Sequence, residues 1–222
     1  MTDLIDKIIR SKRRTIALVI TQDATLEVRA PFNASLDVIN KFALKKKSWI
    51  EKKKALVTKR HACVVPKKFV DGEEFIYEGN AYKLLCDDCE NINISEALYF
   101  PKKFLGQANH HLTVWYKKQA IKKIIGRVDY YSSLTQLQYK SVRLTNAKRS
   151  WGSCSAKGSL NISWRLIMAP PIILDYVVVH ELMHLIERNH SKQFWSRVQN
   201  VLSDYKEHEN WLKQKGNTLV LS

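Results

Sequence analysis

Asp175 to Val198 constrains this chain more than any other stretch: D-Y-V-V-V-H-E-L-M-H-L-I-E-R-N-H-S-K-Q-F-W-S-R-V. Tyr176-Val177-Val178-Val179 and Leu182-Met183-Leu185-Ile186 are apolar, so the segment reads as a buried helix. Set into it are His180, Glu181 and His184. Residues four apart lie one turn apart on the same helix face, so His180 and His184 can aim two imidazoles at one point. Glu181 sits about 100° round from His180 and can reach a water beside that point without sharing it as an equal ligand. Such groups are costly to bury without a metal or a partner.

The spacing is H-E-x-x-H, the ligand pattern of zinc-dependent peptidases, though five residues alone can arise by chance. A catalytic zinc keeps three protein ligands and leaves one position for water. His190 is the nearest third candidate. It lies six residues past His184, about 240° further round an unbroken helix, on the wrong face. The helix is therefore expected to end between them, with Arg188-Asn189 as the stop, since Asn tolerates a left-handed turn. Ser191 then reads as the N-cap of a second helix over Lys192 to Val201. His180, His184 and His190 are the candidate ligands of one Zn2+ per chain, and Glu181 the candidate catalytic carboxylate.

At 222 residues and 45% hydrophobic content the chain can bury a real core. No apolar run approaches the ~20 residues that cross a bilayer. Met1 to Arg14 lacks an apolar core followed by a cleavage site. A cytoplasmic protein without membrane contact is expected. Four cysteines, Cys63, Cys86, Cys89 and Cys154, are too few and scattered for a disulfide framework. Cys86-Asp-Asp-Cys89 has C-x-x-C spacing but no second pair, so its thiols read as ordinary. The net charge of +16 favours polyanions, which makes nucleic acid a candidate partner through a basic surface. Lysine-rich helix faces are more commonly just solvated.

In chain order, Thr15–Ile20 and Leu26–Ala30 read as a hairpin and Ser35–Leu56 as one or two lysine-rich helices. A polar link with Pro66 follows. Phe75–Tyr77 and Ala81–Cys86 read as a second hairpin turning at Gly79-Asn80, with short strands at Asn91–Ile94 and Ala97–Phe100. Leu105–Leu134 is a long helical pattern carrying Leu112, Trp115, Ala120, Ile121, Ile124, Ile125 and Val128. The pair His110-His111 points two ways on it and is not assigned to the metal. Tyr139–Leu144 and Ser159–Leu166 read as strands around a loop, Lys148 to Ser155, with small residues at its tip. Ile172–Ile186 is the metal helix.

The runs W-G-S-C (Trp151 to Cys154), L-N-I-S-W-R-L (Leu160 to Leu166), Ala169-Pro170, D-Y-V-V-V-H-E-L-M-H (Asp175 to His184) and N-H-S-K-Q-F-W (Asn189 to Trp195) resemble, in order and spacing, the YgjP-like family of predicted metal-dependent hydrolases, relatives of SprT-like metallopeptidases. Ala30-Pro31, Trp49-Ile50 and D-G-E-E-F (Asp71 to Phe75) extend the resemblance over nearly the whole chain. Family members often place Arg directly before W-G-S-C; here Ser150 intervenes and Arg149 lies one residue back. The resemblance implies zinc on His180, His184 and His190, with Glu181 as catalytic carboxylate.

The expected fold is α+β. A β-rich N-terminal part with helices (1–104) precedes a minimal zincin-like metallopeptidase domain (105–222), a small sheet plus the H-E-x-x-H helix. The expected activity is hydrolysis of a peptide or protein by a zinc-activated water with Glu181 as general base. Arg149, Arg165 or Tyr176 would face the oxyanion, Trp151 and Trp164 would line the cleft, and Ser159–Arg165 would bind an extended peptide by strand addition. The alternative is a nucleic-acid-associated protein, either a DNA-directed protease or a basic binder with a structural metal. Neither substrate nor oligomeric state is legible.

Overall fold

In the computed structural model the described residues are 4–21, 23–62, 67–147 and 150–221, with the side chains of 59–62 outside the description. Cys63, Pro66 and Arg149 therefore lie outside it. The chain divides into two units, Met1–Val65 and Pro66–Ser222. Residues 67–104, which the sequence groups with the N-terminal part, share the second unit's core through Phe75, Leu84, Leu98 and Phe100.

In the first unit, strands β2 (Ala17–Ile20) and β3 (Leu26–Pro31) form the expected hairpin. Strand β1 (Lys7–Ser11), absent from the elements expected from the sequence, pairs parallel with β3 on its other side. Every second residue of β3, Leu26, Val28 and Ala30, is fully buried. Against that row lie Ile39 and Ala43 of α1 (Leu36–Lys45) and Ile50 of α2 (Lys47–Ala62). Ser35 caps α1 by accepting from the Val38 amide.

The second unit opens with a four-stranded sheet of order β4-β5-β7-β6, made of β4 (Glu74–Tyr77), β5 (Asn80–Asp87), β6 (Asn93–Ile94) and β7 (Leu98–Pro101). The β4–β5 turn is built on Glu78 and Gly79, both at positive φ (48° and 83°), one residue earlier than the expected Gly-Asn. A 3-10 turn, Lys102–Gln107, leads into α3 (Ala108–Thr135). The buried stripe of α3 is Leu112, Tyr116, Ala120, Ile124 and Val128, stepping by four. Tyr116 belongs to it and donates to the Ile76 carbonyl at 2.8 Å, whereas Ile125 is exposed.

A three-stranded sheet of order β8-β10-β9 follows: β8 (Ser141–Thr145), β9 (Gly152–Cys154) and β10 (Ser159–Ser163). β10 stops at Ser163, and Trp164–Met168 is a 3-10 turn rather than the expected end of a strand. Alternation fails there because Leu166, Ile167 and Met168 are buried in succession. Helices α4 (Pro171–Met183), α5 (Lys192–Val201) and α6 (Tyr205–Lys215) complete the unit. Pro171 starts α4 where a missing amide costs nothing. α4 contacts α3, α5, α6, β9 and β10, so residues 173–179 are buried all round.

Two contacts set the start of α4. Arg127 of α3 donates to both carboxylate oxygens of buried Asp175, Nε to Oδ1 at 2.5 Å and Nη2 to Oδ2 at 2.8 Å. The β4–β5 turn docks on the approach to α4: the Glu78 amide donates to the Ile167 carbonyl at 2.8 Å and the Gly79 amide to that of Met168 at 3.0 Å. A Cβ on Gly79 would lie 2.9 to 3.1 Å from Pro170. Gly79→Ala, strained by its φ and by that contact, is expected to lower stability by about 1–3 kcal/mol. Urea denaturation checks this; an unchanged midpoint would show that the docked turn does not hold α4.

Candidate metal centre

α4 ends at Met183, and His184 is its C-cap. The chain then folds back tightly: the Leu185 amide bonds to the Leu182 carbonyl, and the Ile186 and Glu187 amides to that of Met183 at 3.2 and 2.9 Å. The stop falls earlier than Arg188-Asn189, and Asn189 is not left-handed. The ring of His184 does the work instead. Its Nδ1 lies 2.9 Å from the Glu187 carbonyl, and since a carbonyl only accepts, Nδ1 carries the proton. Nε2 is left with a free lone pair. Ser191 caps α5 by accepting from the Phe194 amide at 3.2 Å, as its sequence suggests.

The turn carries His190 back to the other two rings. Its Nε2 lies 2.9 Å from Nε2 of His180 and 3.2 Å from Nε2 of His184. His190 Nε2 holds at most one hydrogen and cannot donate to both neighbours. One ring hydrogen can serve only one of these two short contacts, so the arrangement is best satisfied by a cation held among three lone pairs. Tetrahedral zinc with nitrogens at 2.0–2.1 Å would set them ~3.3 Å apart, close to the spacing found. Among the described residues these three are the His/Cys/Asp/Glu group suited to hold a metal ion. One buried ring, Phe194, touches all three: it stacks on His184 at 4.5 Å and meets His180 and His190 edge-on at 4.9 and 4.8 Å. Trp195 stacks on His190 at 5.6 Å and on Tyr205 at 5.1 Å.

Glu181 is 5% exposed, and its Oε2 has no hydrogen-bond partner among the described residues. Burial alone pushes its carboxyl up to about 8. Burial, with His184 and His190 alongside, pulls His180 down to about 3. Without a cation both groups thus favour their neutral forms. Gly152 of β9 makes room for the carboxylate: a Cβ there would lie 2.5 to 2.8 Å from the Glu181 carboxyl and Cγ. Cys154 sits two residues further along β9. Burial raises its thiol, and the Arg188 guanidinium Nη1 is 3.9 Å from its Sγ. Arg188 also donates to the Ser155 and Ala156 carbonyls at 2.9 and 3.1 Å, which ties the His184–His190 turn to the β9–β10 loop.

With Arg149 outside the described residues, the four remaining candidates separate into two pairs. Trp151 and Tyr176 line a cavity of about 270 Å³ together with Gly152, Val177, His180, Glu181 and, from α6, Glu209, Leu212 and Lys213. Trp164 and Arg165 are not part of its lining: both turn to Asn146, through the indole N–H at 2.9 Å and the guanidinium at 3.2 Å. The strand expected to bind peptide offers no free edge: β10 is central, paired with β8 on one side and β9 on the other. The edge beside Glu181 is β9. The contribution of α6 was missed, though Tyr205, His208 and Leu212, all buried, follow helical spacing.

The metal-free protein makes the burial of Glu181 measurable. Its folded pKa is raised above the unfolded value, so its contribution to stability is complete below about 4.5 and is lost as pH rises through about 8. Gln does not titrate. Without metal, the melting temperature of Glu181→Gln minus that of the wild type is expected to grow from pH 5 to pH 9. A constant difference would mean that the carboxyl is solvated.

The family model for the YgjP-like metallopeptidase domain matches residues 14–215. Among solved structures, the chain is similar to the metallopeptidase zymogen of Pyrococcus abyssi abylysin, with 24% identity and a TM-score of 0.39 over 41% of this chain and 93% of that one. The Methanocaldococcus jannaschii jannalysin zymogen gives 22% identity and a TM-score of 0.37 over 41% and 95%. No curated protein matches the chain. With the family model spanning almost the whole sequence, the chain belongs to the YgjP-like metallopeptidase family and is a metal-dependent hydrolase.

Proposed function

We propose that the protein is a zinc-dependent peptidase whose metal is held by His180, His184 and His190 and whose general base is Glu181. The observation that carries this reading is the meeting of three imidazole Nε2 atoms at 2.9 and 3.2 Å beside a buried carboxylate whose Oε2 has no hydrogen-bond partner among the described residues. Zinc suits the all-nitrogen donor set, and three ligands rather than four leave a position for catalysis. A purely structural site would normally have four ligands and include cysteine.

A cation held by His180, His184 and His190 would supply Lewis acidity, polarising the scissile carbonyl and lowering the pKa of the attacking water towards neutrality. Glu181 takes the water's proton and passes it to the leaving amine. Its burial keeps its basicity high enough for the first step, while a neighbouring positive charge favours the carboxylate form. The Glu187 carbonyl fixes the tautomer of His184. An extended peptide pairs with the outer edge of β9, which runs past Glu181 at Gly152. Tyr176, whose ring lies 5.9 Å from that of His180, is the described candidate for the oxyanion.

Metal analysis of the purified protein is expected to find about one zinc per chain, lost in His180→Ala. Glu181→Gln is expected to keep the zinc and lower peptide turnover by a factor on the order of 10²–10⁴. Near-wild-type turnover would remove Glu181 from the mechanism.

A second reading, contact with nucleic acid, has one observation in its favour. Lys45, Lys46 and Lys47 are exposed beside exposed Trp49 where α1 meets α2. It requires an affinity for duplex or single-stranded DNA that falls steeply with salt; no binding at low salt would dismiss it.

A further inference from the structure

We propose that the cavity between α4, β9 and α6 is a specificity subsite for an uncharged apolar side chain, leucine- to phenylalanine-sized, on the substrate residue adjoining the scissile bond. This rests on the peptidase reading above and adds to it a class of substrate.

Position comes first. His180 and Glu181 are themselves part of the cavity lining, so a peptide carbonyl held at the metal centre puts a neighbouring side chain at its mouth. Size comes next. At about 270 Å³ the cavity falls below the ~300–1,000 Å³ typical of sites for whole small molecules, and suits a single side chain. Its walls are chiefly Trp151, Tyr176, Val177 and Leu212. At the rim, Glu209 and Lys213 lie one helical turn apart on α6 and pair at 2.7 Å. Each already holds the other's charge, so an acidic or basic substrate side chain gains no partner without breaking that pair. It would also lose its hydration against the apolar walls.

The Trp151 wall is set by the absence of a side chain opposite it. Gly216, at the C-terminal end of α6, lets the indole lie against the backbone: a Cβ there would be 2.7 Å from Cζ2 and 3.2 Å from Cε2. Gly216 has φ −57° and ψ −30°, ordinary helical values, so alanine meets no backbone strain there. Its methyl group would instead push the indole towards the cavity.

The test is a randomised hexapeptide library digested by the zinc-loaded protein, with cleavage sites read by mass spectrometry. At one of the two positions flanking the cut, Leu, Met or Phe is expected to exceed Ala, Asp and Lys by about tenfold or more in kcat/KM. Leu212→Trp, which fills the cavity, and Gly216→Ala, which moves its wall, are each expected to shift that preference to Ala or Gly with zinc content unchanged. Cleavage without preference, or a Leu212→Trp preference like that of the wild type, overturns the proposal.

A measurement on the wild type alone guards against misfolded variants. N-acetyl-leucine hydroxamate is expected to bind the zinc-loaded protein about tenfold or more tightly than N-acetyl-glycine hydroxamate by calorimetry. Equal affinities overturn the subsite. If no library peptide is cut although zinc is bound, peptide hydrolysis fails as the activity, and the hydroxamate pair still decides the cavity.

Discussion

The structure depends on a helix buried on every side that ends one residue short of its second histidine. α4 is buried from Ile173 to Val179, apolar there except for Asp175 and the Tyr176 hydroxyl, so its position is set by packing against α3, α5, α6 and the β8–β10 sheet. That burial brings His180 and Glu181 into a medium where charge is expensive. Both respond by favouring their neutral forms, and His180 Nδ1 and Glu181 Oε2 have no hydrogen-bond partner among the described residues. A cation held among the three histidines, as proposed above, would turn this unfavourable arrangement into a favourable one by accepting their lone pairs and stabilising the carboxylate.

The surrounding residues hold that helix and its turn in place. At the start of α4, Arg127 grips Asp175 with two charge-assisted bonds while the Glu78-Gly79 turn bonds to the segment just before Pro170. At its end, the His184 ring spans the turn to the Glu187 carbonyl, and Arg188 fastens the same turn to the β9–β10 loop. Phe194 fills the space beneath the three imidazoles. Each contact limits a different motion: translation of α4, rotation of a ring, or drift of His190.

The convergence of the three histidines is legible because its signals are local. Two histidines one turn apart, a carboxylate between them and a serine cap ahead of α5 are all readable from spacing. The expected helix stop was late because His184 bonds to a backbone carbonyl three residues on, a role that propensity does not announce. The order of strands was not legible either. Ser159–Ser163 has a good strand pattern whether central or at an edge, and only pairing with both β8 and β9 decides. β1 escaped notice because it depends on parallel pairing with a distant strand. The strand expected over Ser159–Leu166 ends early because the apolar residues Ile162, Trp164 and Leu166 keep a period of two into a 3-10 turn. α6 could have been found from Tyr205, His208 and Leu212, but its place beside Trp151 and Glu181 follows from tertiary packing alone.

X-ray absorption at the zinc edge tests the central claim most directly, because it reads the donor atoms without relying on turnover. The zinc-loaded protein is expected to show three imidazole nitrogens at about 2.0–2.1 Å and one oxygen, with no sulfur. A sulfur at about 2.3 Å, which would bring Cys154 into the shell, or only two imidazoles, would contradict it.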